Sequence, residues 1–247
     1  MTTNSWQLSS PINTIIFDCD GTLTQIEGID ELANRNHVGN KVKLMTEEAM
    51  GKTGIHPKLY QKRLELVCPT QQQVLELGEY YFSQLVPDLE KVIQIFKRLN
   101  KTIFVVSAGL YPAVEIFAAK LHIPKENVFA VGVKFDAEGN YVDFDHTSPL
   151  THREGKRIII NEIKKTQKKL LYVGDGLNDL AAFDLVERFI GYGGYYYRDV
   201  IAERCKYYLK EKSMSQLLCL CLTSEEVEKL AKEEKKLYEK GKDLFCR

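Results

Sequence analysis

The chain predicts an α/β fold in which a mostly parallel sheet is covered by helices. Short apolar runs of strand length each end in a polar, glycine-bearing segment, and apolar residues at helical spacing lie between them. In such folds ligands gather outside the carboxyl ends of the strands, so the polar segments are expected along one edge.

Taken in order, Asn13 to Phe17 is an Ile-rich run that meets Asp18 and then Gly21, a buried strand entering a loop. From about Gln25 to Leu85 the pattern is helical with no convincing strand, which predicts a helical cap inserted after the first strand. Leu89, Val92, Ile93 and Phe96 predict a helix; Ile103 to Val106 predicts a second strand, ending at Ser107 and Gly109. Val114, Phe117, Ala118 and Leu121 predict the next helix. Between Val128 and Phe144 the runs FAVGVKF and YVDF flank DAEGN and predict a β-hairpin around its Gly-Asn turn. Leu170 to Val173 predicts a third strand, ending at Gly174 and Asp175. In the tail, Thr223 can cap and Glu226 can reach back ahead of Val227, Leu230 and Ala231, which predicts one charged amphipathic helix packed on the core. The expected organisation is a core of residues 1–24 and 86–222, a helical cap of 25–85 and a C-terminal helical extension of 223–247.

Composition narrows the partners. Hydrophobic residues at 44% and charged residues at 28% are ordinary for a globular protein, and 34 Lys+Arg balance 34 Asp+Glu. No net field draws the chain to nucleic acid or an anionic membrane, so a small molecule is the expected partner. The apolar run Leu217 to Leu222 is far below the roughly 18 residues that span a bilayer. A polar opening segment without a signal pattern predicts a cytoplasmic setting, and six cysteines without a CxxC pair predict reduced thiols rather than a zinc site. Monomer and homodimer are equally compatible with these features.

The chemistry concentrates at Asp18-Cys19-Asp20-Gly21-Thr22. Carboxylates at the end of a buried strand are costly unless they bind something. At about 3.3 Å per residue, alternate residues of extended chain project to one side, so Asp18 and Asp20 can flank one reacting group, one attacking while the other handles protons. An ordinary Asp-Gly turn is the plain alternative. Against it stand Ser107 at a second strand end, the segment Gly174-Asp175-Gly176-Leu177-Asn178-Asp179 at a third, and Lys156 at the head of a helical pattern.

DCDGT at Asp18, VVSAG around Ser107, the Gly155-Lys156 pair and GDGLND resemble the four motifs of the haloacid dehalogenase superfamily, in family order. EGIDELA (Glu27 to Ala33), EAMG (Glu48 to Gly51), RLEL (Arg63 to Leu66) and FIGYGG (Phe189 to Gly194) resemble the phosphoserine phosphatase family, the likeness spanning roughly residues 13 to 222. The resemblance implies a Rossmann-like, doubly wound core and a phosphomonoester hydrolase acting on L-phosphoserine through an aspartyl phosphate. It assigns the nucleophile to Asp18 and acid/base work to Asp20. Mg²⁺ would be held by Asp18, Asp175 and the Asp20 carbonyl, with Asp179 orienting that shell. Ser107, Ala108, Gly109 and Lys156 would take the phosphoryl group; Glu27 and Arg63 would take the substrate's ammonium and carboxylate, with Met50 beside them. Asn178 would contact either phosphate or substrate. A guanidinium offers a carboxylate a planar fork, in keeping with that role for Arg63. Two residues depart from the family: Ala108 where Gly-Gly is common, and His56 near a usual phenylalanine. The alternatives are a phosphatase or phosphotransferase for another small amino or alcohol phosphate, a dehalogenase, for which Asp20 has no clear use, and a non-catalytic binding protein on the same fold.

Overall fold

The computed structural model describes residues 6–49, 52 and 54–246. Strand β1 (Thr14–Phe17) is buried on both faces and leads into four helices, α1 (Gly28–Arg35), α2 (Gly39–Glu48), α3 (Pro57–Val67) and α4 (Gln71–Ser83). Helix α5 (Leu89–Arg98) follows, then β2 (Thr102–Leu110), α6 (Tyr111–Lys120), β3 (Val128–Val131), β4 (Val133–Phe135) and β5 (Tyr141–Phe144). The second half runs α7 (Gly155–Thr166), β6 (Leu170–Gly174), α8 (Leu177–Leu180), β7 (Arg188–Tyr192), α9 (Asp199–Ala202) and β8 (Tyr207–Leu209). Helices α10 (Gln216–Cys221), α11 (Ser224–Glu228) and α12 (Lys232–Phe245) close the chain.

Six strands form one parallel sheet in the order β3-β2-β1-β6-β7-β8. The chain winds outward from β1 to β3, returns to the other side of β1 with β6, and winds outward again, so the reversal falls between β1 and β6. That is where α/β sheets place ligands, because the connections leave in opposite directions and open a crevice. Register sets the depth of the site: Phe17 lies level with Val105 and Val173, so Asp18 emerges beside the end of β6 and beside β2 just before Ser107.

Helix α5 buries Leu89, Val92, Ile93 and Phe96, the residues whose spacing predicted it. The four-helix segment is entered and left side by side, with Thr24 bridging Leu85 and the Gln25 amide donating to the Gln84 carbonyl at 2.9 Å. Its last helix lies close on α6: a Cβ at Gly78 would come within 2.9 Å of the Ala113 carbonyl oxygen.

Two expectations are corrected. The run FAVGVKF is not one hairpin arm; it divides at Gly132 into β3, which joins the main sheet, and β4, which pairs antiparallel with β5. The tail is not one helix. Thr223 accepts from the Glu226 amide and the Glu226 side chain accepts from the Thr223 amide, so α11 begins as predicted. It ends after five residues, and α12 starts with its own acidic reach-back, Glu234 accepting from the Ala231 amide at 2.7 Å. The segment is fastened by the buried Lys101–Glu226 pair at 2.6 Å and by Gly241, where a Cβ would lie 2.0 Å from the Ser215 carbonyl oxygen. All six cysteines are free thiols, and among the described residues no helix is long and apolar enough to cross a membrane.

Candidate active site

Asp18 follows β1 and is 4% exposed; its Oδ1 accepts from the Cys19 amide at 2.8 Å and meets Lys156 Nζ at 2.7 Å. Lys156 stands in the first turn of α7 and donates also to Asp179 Oδ1 at 2.6 Å. Burial alone would lower the Lys156 ammonium, but the Asp179 and Asp18 carboxylates outweigh it and hold it above its ordinary value. Asp18 runs the other way: burial raises its carboxyl well above the usual range, with repulsion from Asp179 adding to the rise and Lys156 opposing it.

Asp20 is buried, and both groups that hold it bind the same oxygen: the Gly28 amide at 2.7 Å and the Tyr81 hydroxyl at 2.6 Å donate to Oδ1. Burial raises its carboxyl and these two donors restrain the rise. Its Oδ2 approaches the irregular last residues of β2, which runs on past Val106 to Leu110, and a Cβ at Gly109 would stand 2.9 Å from it and 3.1 Å from Ser107 Oγ. Glycine at 109 thus permits an approach that an alanine would obstruct. Ser107 is fully buried and accepts from the Gly109 amide at 2.9 Å.

Three carboxylates, Asp18, Asp175 and Asp179, offer oxygens that all lie within 4.8 Å of one another. Asp179 is already fixed by Lys156, the Tyr172 hydroxyl and the amides of Asp175 and Gly176, so it serves as a brace. Asp175 accepts from Thr22 Oγ1 at 3.2 Å, and Gly21, at φ +68°, passes so near that a Cβ would sit 2.8 Å from Asp175 Oδ2. The all-oxygen donor set suits a hard divalent cation. Five buried acidic side chains (Asp18, Asp20, Glu27, Asp175 and Asp179) outnumber the three buried or nearly buried cations, Lys156, Arg63 and Arg198. A divalent cation would favour their ionised forms.

Above these strand ends, Glu27 at the start of α1 and Arg63 on α3 are buried and line the same cavity as Asp18, Asp20, Ser107, Ala108, Gly109 and Lys156. Glu27 Oε1 and Arg63 Nε have no hydrogen-bond partner among the described residues, a costly state for buried polar atoms. Burial, then repulsion from Asp175 and Asp20, raises the Glu27 carboxyl well above its usual range. The cavity lies between the four-helix segment, which contributes Glu27, Tyr60, Arg63 and Tyr81, and the strand ends that carry Asp18 and Ser107.

Asn178 is not among the cavity-lining residues; its Oδ1 accepts from the Ile55 amide at 3.1 Å and ties the four-helix segment to α8. Met50 lies outside the described residues. His56 caps α3, its Nδ1 accepting from the Leu59 amide at 3.3 Å.

Sequence reasoning missed three residues. Arg198, in the loop after β7, donates to Asp175 Oδ2 at 2.8 Å and stands 3.6 Å from Glu27, linking the metal-type cluster to the upper carboxylate. In the sequence only the FIGYGG strand end preceding it signals a loop at the site. Tyr81 and Tyr60, both on buried helix faces, looked like ordinary core residues.

Asp175 provides a test of the cation site. Burial is the largest cause of its rise to about 6, with Arg198 opposing. Its unfolded value is about 3.9, so between those values the native state binds more protons and the metal-free protein loses stability through this group as pH rises. A cation needs the carboxylate, and its stabilising effect therefore grows over the same window. The increase in melting temperature on adding Mg²⁺ is expected to be small near about pH 5 and large near about pH 7.5. An increase independent of pH would remove Asp175 from the ligand set.

Residues 12–184 match the family model described as haloacid dehalogenase-like hydrolase. The phosphoserine phosphatase of Bos taurus is 35% identical over 201 residues, which is 81% of this chain and 89% of that protein. That of Drosophila melanogaster is 33% identical over 80% of this chain and 74% of its own length. Among solved structures, a phosphoserine phosphohydrolase-like protein from Francisella tularensis superposes with TM-score 0.74 at 24% identity, over 81% of this chain and 96% of that one. A substrate-bound phosphoserine phosphatase complex superposes with TM-score 0.73 at 24% identity, over 85% and 98%.

Proposed function

Because the chain belongs to the haloacid dehalogenase-like hydrolase family, and within it to the phosphoserine phosphatases, we propose that it hydrolyses L-phosphoserine to L-serine and inorganic phosphate in a Mg²⁺-dependent reaction. The observation that carries the substrate is that two buried polar atoms, Glu27 Oε1 and Arg63 Nε, have no hydrogen-bond partner among the described residues, in the cavity that also holds Asp18. Beyond the Arg198 ion pair of Glu27 and the bond from Arg63 Nη1 to Thr46 Oγ1, this carboxylate and this guanidinium keep hydrogen-bonding capacity that complements an ammonium and a carboxylate, and together they select an amino-acid head group.

In the first half-reaction an Asp18 carboxylate oxygen attacks phosphorus, the bond from phosphorus to the serine oxygen breaks, and Asp20 delivers its proton to that oxygen. Burial raises the Asp20 carboxyl, which favours the proton-bearing form that this step needs. In the second, Asp20 takes a proton from water as the water oxygen attacks phosphorus, which releases phosphate and restores the Asp18 carboxylate. Ser107, the Ala108 amide and Lys156 bind the phosphoryl oxygens, where fixed donors act on developing charge. Bound Mg²⁺, held by Asp18, Asp175 and the Asp20 carbonyl, supplies positive charge that lets a carboxylate approach a phosphate dianion. Asp179 keeps Lys156 and the Asp175 loop in place. Residues 25–85 serve as the cap and 86–222, with the N-terminal strand, as the core; Asp18, Glu27, Arg63 and Lys156 are buried between them, so the cap opens for substrate entry. A cytoplasmic setting suits the six free thiols.

The test is phosphate release from phosphoserine, phosphothreonine, phosphoethanolamine and sugar phosphates with Mg²⁺. Phosphoserine is expected to lead the panel. Arg63→Lys is expected to lower kcat/KM for phosphoserine about tenfold or more while sparing phosphoethanolamine, which has no carboxylate. Glu27→Gln is expected to penalise both, since both carry the ammonium. Equal losses on all esters would overturn the head-group roles.

A further inference from the structure

Tyr60 occupies the space between the two ends of the site. It projects from α3 with 3% exposure, lines the cavity, and its hydroxyl donates at 3.0 Å to the backbone carbonyl of Ala108, the residue after Ser107. On the other side, the Arg63 guanidinium lies 5.7 Å from the Tyr60 ring centroid, within cation–π reach. The ring is braced from behind by Phe144 of β5, at 5.2 Å between centroids. The hairpin that carries Phe144 is itself tied to α4, the Gln71 amide donating to the Gly139 carbonyl at 2.8 Å.

We propose that Tyr60 is a specificity-determining latch. Its hydroxyl fastens the helical segment onto the phosphate loop, and its ring limits the room around the carbons that join phosphate to head group. The proposal rests on the reading above, in which Ser107 and Ala108 hold the phosphate and Arg63 the carboxylate. The linking carbons of a bound substrate then lie between those two ends, and Tyr60 touches both. With the Tyr60 ring between the two ends, an extra methyl group on the carbon bearing the ester oxygen would meet that ring, so serine-type esters enter and threonine-type esters are discriminated against. The hydroxyl makes closure favourable by one neutral hydrogen bond, and the binding-competent state is populated accordingly.

Two variants separate these roles. Tyr60→Phe removes only the hydroxyl; it is expected to raise KM for phosphoserine by about two- to tenfold, change kcat by less than about twofold, and speed amide hydrogen exchange over residues 55–67 by a similar factor. Tyr60→Leu opens space beside Arg63 and is expected to raise the phosphothreonine-to-phosphoserine ratio of kcat/KM by about tenfold or more. Unchanged KM and exchange in Tyr60→Phe would overturn the latch. An unchanged ratio in Tyr60→Leu would overturn the specificity role. Failure of the substrate reading shows separately, as absence of phosphoserine turnover in the unaltered protein, and the exchange measurement still decides the latch in that case.

Discussion

Lys156→Met is expected to lose turnover by about two to three orders of magnitude and also to lose stability, by about 3–5 kcal/mol in metal-free protein. Both effects have one origin. The Lys156 ammonium is 3% exposed and lies 2.7 Å from Asp18 and 2.6 Å from Asp179, so its removal leaves two buried carboxylates facing each other without compensation. The turnover loss follows because no other described cation contacts Asp18. Denaturant unfolding with and without Mg²⁺, beside kcat, checks this. Mg²⁺ is expected to recover part of the stability and little of the turnover, because a cation at the carboxylates relieves repulsion but does not replace a donor to the phosphoryl group. Full recovery of kcat by Mg²⁺ would show that Lys156 is only a structural counter-ion.

Asp18→Asn is expected to have the opposite signs on its two readouts. Turnover falls by about three orders of magnitude or more, since an amide cannot form the acyl phosphate. Metal-free stability rises, by about 1 kcal/mol, since burial and the neighbouring Asp179 and Asp175 already disfavour the charged form of Asp18. A destabilised but active Asp18→Asn would contradict both the chemistry and the electrostatics of the site.

The parts of this account legible in the sequence are those in which backbone and chemistry coincide. A buried strand must end where a carboxylate begins, so β1 and Asp18 announced one another, as did β6 and Asp175. The hairpin was harder, because its first arm and β3 form one continuous apolar run, and the division at Gly132 depends on which neighbour each half pairs with. Strands β7 and β8 were not read as sheet from periodicity, although FIGYGG marked the first through its likeness to the family. Local pattern does reveal the cap of α11 but not its end, because the Ala231 amide finds Glu234 only when a new helix starts there. Arg198 stayed hidden since its function depends on a loop bringing it to Asp175, 23 residues away in sequence. Tyr60 stayed hidden for the same reason: a tyrosine on an apolar helix face resembles core until its hydroxyl is seen to reach Ala108.

Covalent catalysis by Asp18 is the centre of the account, and trapping the intermediate addresses it without reference to substrate preference. The Mg²⁺-loaded protein is mixed with phosphoserine, quenched in acid within the first turnovers, and examined by intact mass and peptide mapping. The expected result is added mass of one phosphoryl group on the peptide containing Asp18, lost on hydroxylamine treatment and absent in Asp18→Asn. Phosphate release with no phosphorylated protein at any quench time, or label on a peptide lacking Asp18, would contradict the assignment of Asp18 as nucleophile.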